Sequence, residues 1–147
     1  MSHFEDLGGE VALRRVIDTF VERVFSDVMI GFIFTGKNRD RLREMEYQLA
    51  AEQLGGPVSY SGRSIQSVHA PLPIMGGHFD RRRQILINTL RDCGVPATIQ
   101  RVWIEHVDAL RGDVLGHLRI EGERTLFDAL CCMCCAALCA CCGMLIA

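Results

Sequence analysis

No stretch of this chain alternates apolar and polar residues as a half-buried strand does. Neither sign of charge dominates: 16 basic side chains face 18 acidic ones, for a net charge of −2. That balance gives no basic surface for nucleic acid, so no nucleic-acid partner is expected. No basic leader with an apolar stretch and cleavage site opens the sequence, and a cytoplasmic main body is the expectation. Cysteine is missing from most of the chain. Of the eight, Cys93 stands alone and the other seven fall between Cys131 and Cys142. Such bunching is not a disulfide framework. The 147 residues suffice for one domain with a core of its own, but hardly for two.

Helical periodicity is what the chain does have. Ser2-His3-Phe4-Glu5 has the form of a capping box, and Gly8-Gly9 interrupts the helix it would start. From Glu10, the residues Leu13, Val16, Ile17, Phe20 and Val24 recur at three- and four-residue spacing until Ser26-Asp27. Phe32-Ile33-Phe34 is an apolar corner. Asn38 is the expected N-cap of the next helix, with Leu42, Met45 and Leu49 on one face and Gly55-Gly56-Pro57 as its stop. Periodicity returns at Phe79, Leu86, Leu90 and Cys93. After Gly94, a last helix is expected to carry Ile99, Val102, Trp103, Val107, Leu110 and Val114 on its inner face, with Pro96 in its first turn. The fold class is all-α.

Residues 57–77 break this order. They hold Pro57, Pro71 and Pro73, and only Ile65–His69 suggests a turn of helix. Long irregular segments inside compact domains are usually functional or disordered. A bound cofactor would give the flanking helices the apolar surface that the segment lacks.

Several motifs, taken in order, resemble the truncated haemoglobins, the two-over-two globins, of group I type. They are Phe4-Glu5-Asp6-Leu7-Gly8-Gly9, Phe20-Val21-Glu22-Arg23-Val24, Phe32-Ile33-Phe34 with Gly36, and Leu49 through Gly56. Tyr60-Ser61-Gly62-Arg63, Val68-His69, His78-Phe79-Asp80 and Gly94-Val95-Pro96 complete the set. The resemblance covers roughly residues 3–116. It implies a two-over-two helical fold with haem b between the helices and His69 as the axial ligand to iron. A neutral imidazole suits iron and leaves the other face for a gas. His78 is the rival histidine, expected to face outward beside Phe79. The resemblance further implies Phe34 stacked on the haem and Tyr60 and Arg63 near its propionates, where hydroxyl and guanidinium suit carboxylates. Leu42, Ile65, Ile74, Phe79, Leu86 and Val107 would line the pocket. Met45 lies where some relatives carry a sixth ligand.

The opposite wall departs from the pattern. Val21 stands where the family commonly has tyrosine, and Glu46 where it often has glutamine. Valine donates no hydrogen bond, an ionised carboxylate only accepts, and a buried one tends to stay neutral. Weak oxygen retention is expected unless Tyr47 substitutes. Arg81-Arg82-Arg83 reads as a solvated helix face, with a docking patch for a reductase or an anionic membrane as the sharper alternative.

The domain is expected to occupy residues 1–118 and a Cys-rich apolar tail residues 119–147. Ala129 to Ala147 has no charged or conventionally polar side chain over 19 residues, near the length of a membrane span. A membrane anchor, palmitoylated cysteines, thiolate capture of Zn or Cu(I), and a bare extension are its readings.

By resemblance the protein would bind O2, NO or CO at haem iron, for oxygen binding or for NO detoxification as a nitric-oxide dioxygenase with a reductase as electron source. A haem-based gas or redox sensor signalling through a membrane-associated tail is the alternative. A haem-free helical interaction protein is a third class.

Overall fold

The computed structural model describes residues 2–116. The tail, with its membrane, lipid and thiolate readings, lies outside the described residues. All regular structure among the described residues is helical, as expected.

Helix α1, His3–Leu7, starts on a reciprocal cap: Glu5 N–H donates to Ser2 Oγ at 3.3 Å, and Ser2 N–H donates to the Glu5 carboxylate at 3.0 Å. Gly8, at φ 107°, adopts the left-handed conformation that lets α2, Gly9–Ser26, follow at once. Leu13, Val16, Ile17, Phe20, Val21 and Val24 form its buried stripe. Asp27 closes α2 by accepting the N–H groups of Met29 and Ile30. A 3-10 turn, Gly31–Phe34, makes the expected corner.

Helix α3, Arg39–Gln53, begins where Arg41 N–H donates to Asn38 Oδ1 at 2.9 Å. It carries two apolar faces. Tyr47, Ala50 and Ala51 are buried in the core, while the expected face of Leu42, Met45 and Leu49 borders a cavity. Gly55 turns the chain out at φ 77°. Gly56 is pressed against Phe4: a Cβ there would lie 2.8 Å from the ring and 3.0 Å from Ala51 O. Phe4 N–H donates to Leu54 O at 2.9 Å, so the end of α3 is tied to α1.

Across the irregular middle, α4, Ile65–His69, is capped by Ser64. Helix α5, Gly76–Asp92, starts three residues before Phe79. Pro96 sits at the N-cap of α6, Ala97–Ala109, just before the first turn in which it was expected. The final helix is not continuous. Leu110 N–H meets the carbonyls of both His106 and Val107 at 3.2 Å, a tightened turn that ends α6. The chain then re-forms as α7, Arg111–Leu115, which packs on α4.

Helix α2 packs on α3, α5 packs on α6, and α2 against α5 joins the pairs. This is the two-over-two arrangement. Leu13, Ile17, Leu86, Leu90 and Ile99 are fully buried at its centre.

The arginine run corrects the sequence reading. It is not one face free of partners: Arg81 meets Asp27 at 2.7 Å, Arg82 meets Glu46 at 2.5 Å and Arg83 meets Asp108 at 2.5 Å. Successive helical residues are about 100° apart, so three neighbours on α5 reach three different elements. No helix among the described residues is long and apolar enough to cross a membrane.

Candidate functional site

The two helix pairs enclose a cavity of about 360 Å³. Phe34 comes to its wall from the 3-10 turn. Leu42, Met45 and Glu46 come from α3, Phe79 and Leu86 from α5, and Val107 from α6. The irregular segment and α4 contribute Tyr60, Arg63, Ile65, His69 and Ile74. These twelve residues, expected from the sequence to surround a cofactor, all border one cavity. The long middle segment is its fourth side.

His69 ends α4 and is half-buried. Its Nδ1 lies 2.7 Å from Ile65 O. A carbonyl only accepts, so Nδ1 carries the proton and Nε2 keeps its lone pair. Burial pushes the imidazole below its ordinary 6.5; Arg82 acts in the same direction, while the Ile65 bond and Glu46 oppose it. The result is a neutral ring with one free donor atom, the form a metal takes.

Other wall residues went unread in the sequence. His78 does not face outward. It borders the cavity, accepts the Met75 N–H through Nδ1 at 3.2 Å, and meets Phe32 edge-on. Trp103 and His106 border it from α6, and Lys37, Asn38 and Arg41 from the start of α3. The missed signal was spacing. Asn38, Arg41, Leu42, Met45, Glu46 and Leu49 form one helical stripe, as do Phe79, Arg82 and Leu86. His106 Nε2 is buried with no protein partner among the described residues, and burial pushes its imidazole below 6.5. Tyr60 donates its hydroxyl to Arg63 O at 3.0 Å, and burial raises the phenol above its ordinary range.

Two positions weighed for the ligand-facing wall stand apart from the cavity. Val21 is buried in the core, and Phe20 and Ile17 take the wall in its place. Tyr47 is buried beneath the Arg14 guanidinium, 3.9 Å from its ring centroid. It does not substitute for the missing tyrosine. Nor is Glu46 solitary: it is held by Arg82, whose guanidinium also lies 4.9 Å from the centre of the Phe20 ring.

Residues 2–116 match the family model described as bacterial-like globin. The chain belongs to that family. Within it, the chain is a group 1 truncated haemoglobin. It is 34% identical over 96 residues to the group 1 truncated hemoglobin GlbN of Mycolicibacterium paratuberculosis, covering 65% of this chain and 71% of that one. The Fe(III) structure of truncated hemoglobin from Tetrahymena pyriformis superimposes with a TM-score of 0.73 at 25% identity, covering 78% of this chain and 98% of that one. The 2/2 hemoglobin of Synechococcus sp. PCC 7002 shares the fold, with a TM-score of 0.72 at 23% identity over 79% of this chain and 99% of that one.

Membership makes haem iron the cofactor of this globin and the binding of diatomic gases such as O2 its chemistry. The residues present fit that group. The cavity is walled mainly by apolar side chains, one neutral imidazole keeps a nitrogen lone pair, and a second imidazole nitrogen is buried without a partner among the described residues. Lys37, Arg41 and Arg63 add exposed cations to its lining, and cations of this kind pair with carboxylates.

Proposed function

We propose that His69 Nε2 is the axial ligand of a b-type haem in this cavity and that the protein binds O2, NO or CO reversibly. The observation that carries the reading is the His69 Nδ1–H bond to Ile65 O, at the end of a helix bordering an otherwise largely apolar cavity. That bond fixes the tautomer and the ring direction, as partners of metal-bound histidines commonly do. When bound, haem supplies an iron that takes diatomic gases on its free side.

The protein's own groups do the rest. Phe34, Leu42, Ile65, Ile74, Phe79, Leu86 and Val107 exclude water from the ring, with Met45 as an apolar filler rather than a ligand. Tyr60 and Arg63, joined by Lys37 and Arg41, hold the propionates at the rim. Arg82, against the Phe20 ring, and its partner Glu46 set the polarity on that side. With Val21 in the core and Tyr47 turned away, neither position supplies a hydroxyl to a bound gas. The sensor reading depends on the tail and gains no support from residues 2–116. The haem-binding unit is residues 1–118, consistent with the end of α7 at Leu115 and of the family match at residue 116.

Titration of the purified full chain with ferric haem tests the proposal. A Soret band that saturates at one equivalent, and shifts with CO after reduction, is expected. No Soret band, or saturation without a defined stoichiometry, would overturn it.

A further inference from the structure

Among the cavity's cations, Arg82 is held differently from the others. Lys37, Arg41 and Arg63 are exposed, whereas the Arg82 side chain is 28% exposed and its partner Glu46 21%. Arg82 shares a helix stripe with Phe79 and Leu86, so its stem runs along the cavity wall. Its head is fixed twice. Nη2 donates to Glu46 Oε1 at 2.5 Å, and the guanidinium carbon lies 4.9 Å from the Phe20 ring centre.

A guanidinium has five N–H donors. Glu46 occupies one at Nη2. Among the described residues no protein acceptor takes the N–H groups of Nε or Nη1. Arg82 therefore brings uncommitted donors and a positive charge to the wall where neutral hydroxyl and amide donors were expected. The two kinds of donor differ in degree. A neutral donor already gives an anionic ligand a stronger hydrogen bond than a neutral one. A guanidinium adds a full positive charge, which favours the ligand bearing negative charge further and does little for CO.

We propose that Arg82 makes this cavity selective for small anionic ligands, of the azide or cyanide class, over neutral CO, with the Glu46 carboxylate as the charge that tempers it. The inference rests on the haem reading above. Because Glu46 offsets the charge of the guanidinium, and the Phe20 ring still backs that guanidinium without it, the two ends of the pair act on anions with opposite sign. A merely structural ion pair would give the same sign from either end.

The test is azide titration of the ferric haem-loaded full chain beside CO titration of the ferrous form. Arg82→Gln is expected to weaken azide about tenfold, equivalent to about 1.4 kcal/mol, and to leave CO within about twofold. Glu46→Gln is expected to strengthen azide, because a competing negative charge is gone. Arg82→Lys keeps the charge and is expected to retain most of the azide affinity. In the CO form of Arg82→Gln, the C–O stretch is expected to rise as the positive field is lost. Azide unchanged in Arg82→Gln, azide and CO weakened together, or both ends of the pair changing azide in one direction would each overturn the inference while the haem reading stands. A wild-type chain that takes up no haem would overturn both. Should Arg82→Gln fail to fold, the sign of the Glu46→Gln effect decides.

Discussion

Gly56→Ala is a small change with a decided sign. The backbone at Gly56 is not in the left-handed region, so alanine fits its torsions. On chain entropy alone the substitution would stabilise by about 0.4–1 kcal/mol. The space forbids that gain: the new methyl would lie 2.8 and 2.9 Å from two carbons of the Phe4 ring and 3.0 Å from Ala51 O. Phe4 is buried, and its N–H is committed to Leu54 O at 2.9 Å, so the ring has little freedom to withdraw. Overpacking of this kind costs about 1–3 kcal/mol. A net loss of about 1.5 kcal/mol follows, or about 1 M in the urea midpoint at a typical m-value. Urea unfolding followed by far-UV circular dichroism reads it. The decisive comparison is the double variant. In a Phe4→Ala background the clash is gone, and Gly56→Ala is expected to be neutral or stabilising. A Gly56→Ala loss that persists without the Phe4 ring would refute the argument.

Three further expectations follow from the geometry. Val21→Tyr overpacks the core rather than adding a donor to the cavity, so it should destabilise by about 1–3 kcal/mol and leave oxygen dissociation unchanged; slower dissociation would put that side chain at the ligand. His69 and His106 are both held below 6.5 by burial, so near and below 6.5 the unfolded chain binds more protons than the folded one. Their contribution to stability is present above 6.5 and is lost as pH falls; urea midpoints should drop between about pH 7.5 and 5.5, and a flat or rising profile would contradict it. A chain ending at residue 118 should match the full chain in helicity and haem uptake, and loss of either would place the tail in the folded unit.

Where a signal was local, it was legible. Ser2 and Glu5 capped α1, Asn38 capped α3, and Gly55-Gly56 stopped it where the residue types require. The all-α two-over-two architecture was legible too, because apolar spacing and the order of motifs point the same way. The break at Leu110 was not. It arises from a tightened hydrogen bond and from the packing of α7 on α4, neither of which disturbs the spacing of Val107, Leu110 and Val114. The arginine run misled because three adjacent charges suggest a single face, whereas a helix fans adjacent residues apart. Arg82 lay on the stripe of Phe79 and Leu86 all along, but a charged residue in an apolar stripe is easily set aside. The partner that holds it, Glu46, is 36 residues away, and only the fold brings the two together.

The most direct test of the central claim is a set of three histidine variants, His69→Gly, His78→Gly and His106→Gly, each titrated with ferric haem with and without imidazole. The account predicts that only His69→Gly loses the defined Soret band and that imidazole restores it by entering the space of the missing ring. A wild-type spectrum from His69→Gly, or loss and imidazole rescue in His78→Gly or His106→Gly instead, would contradict it.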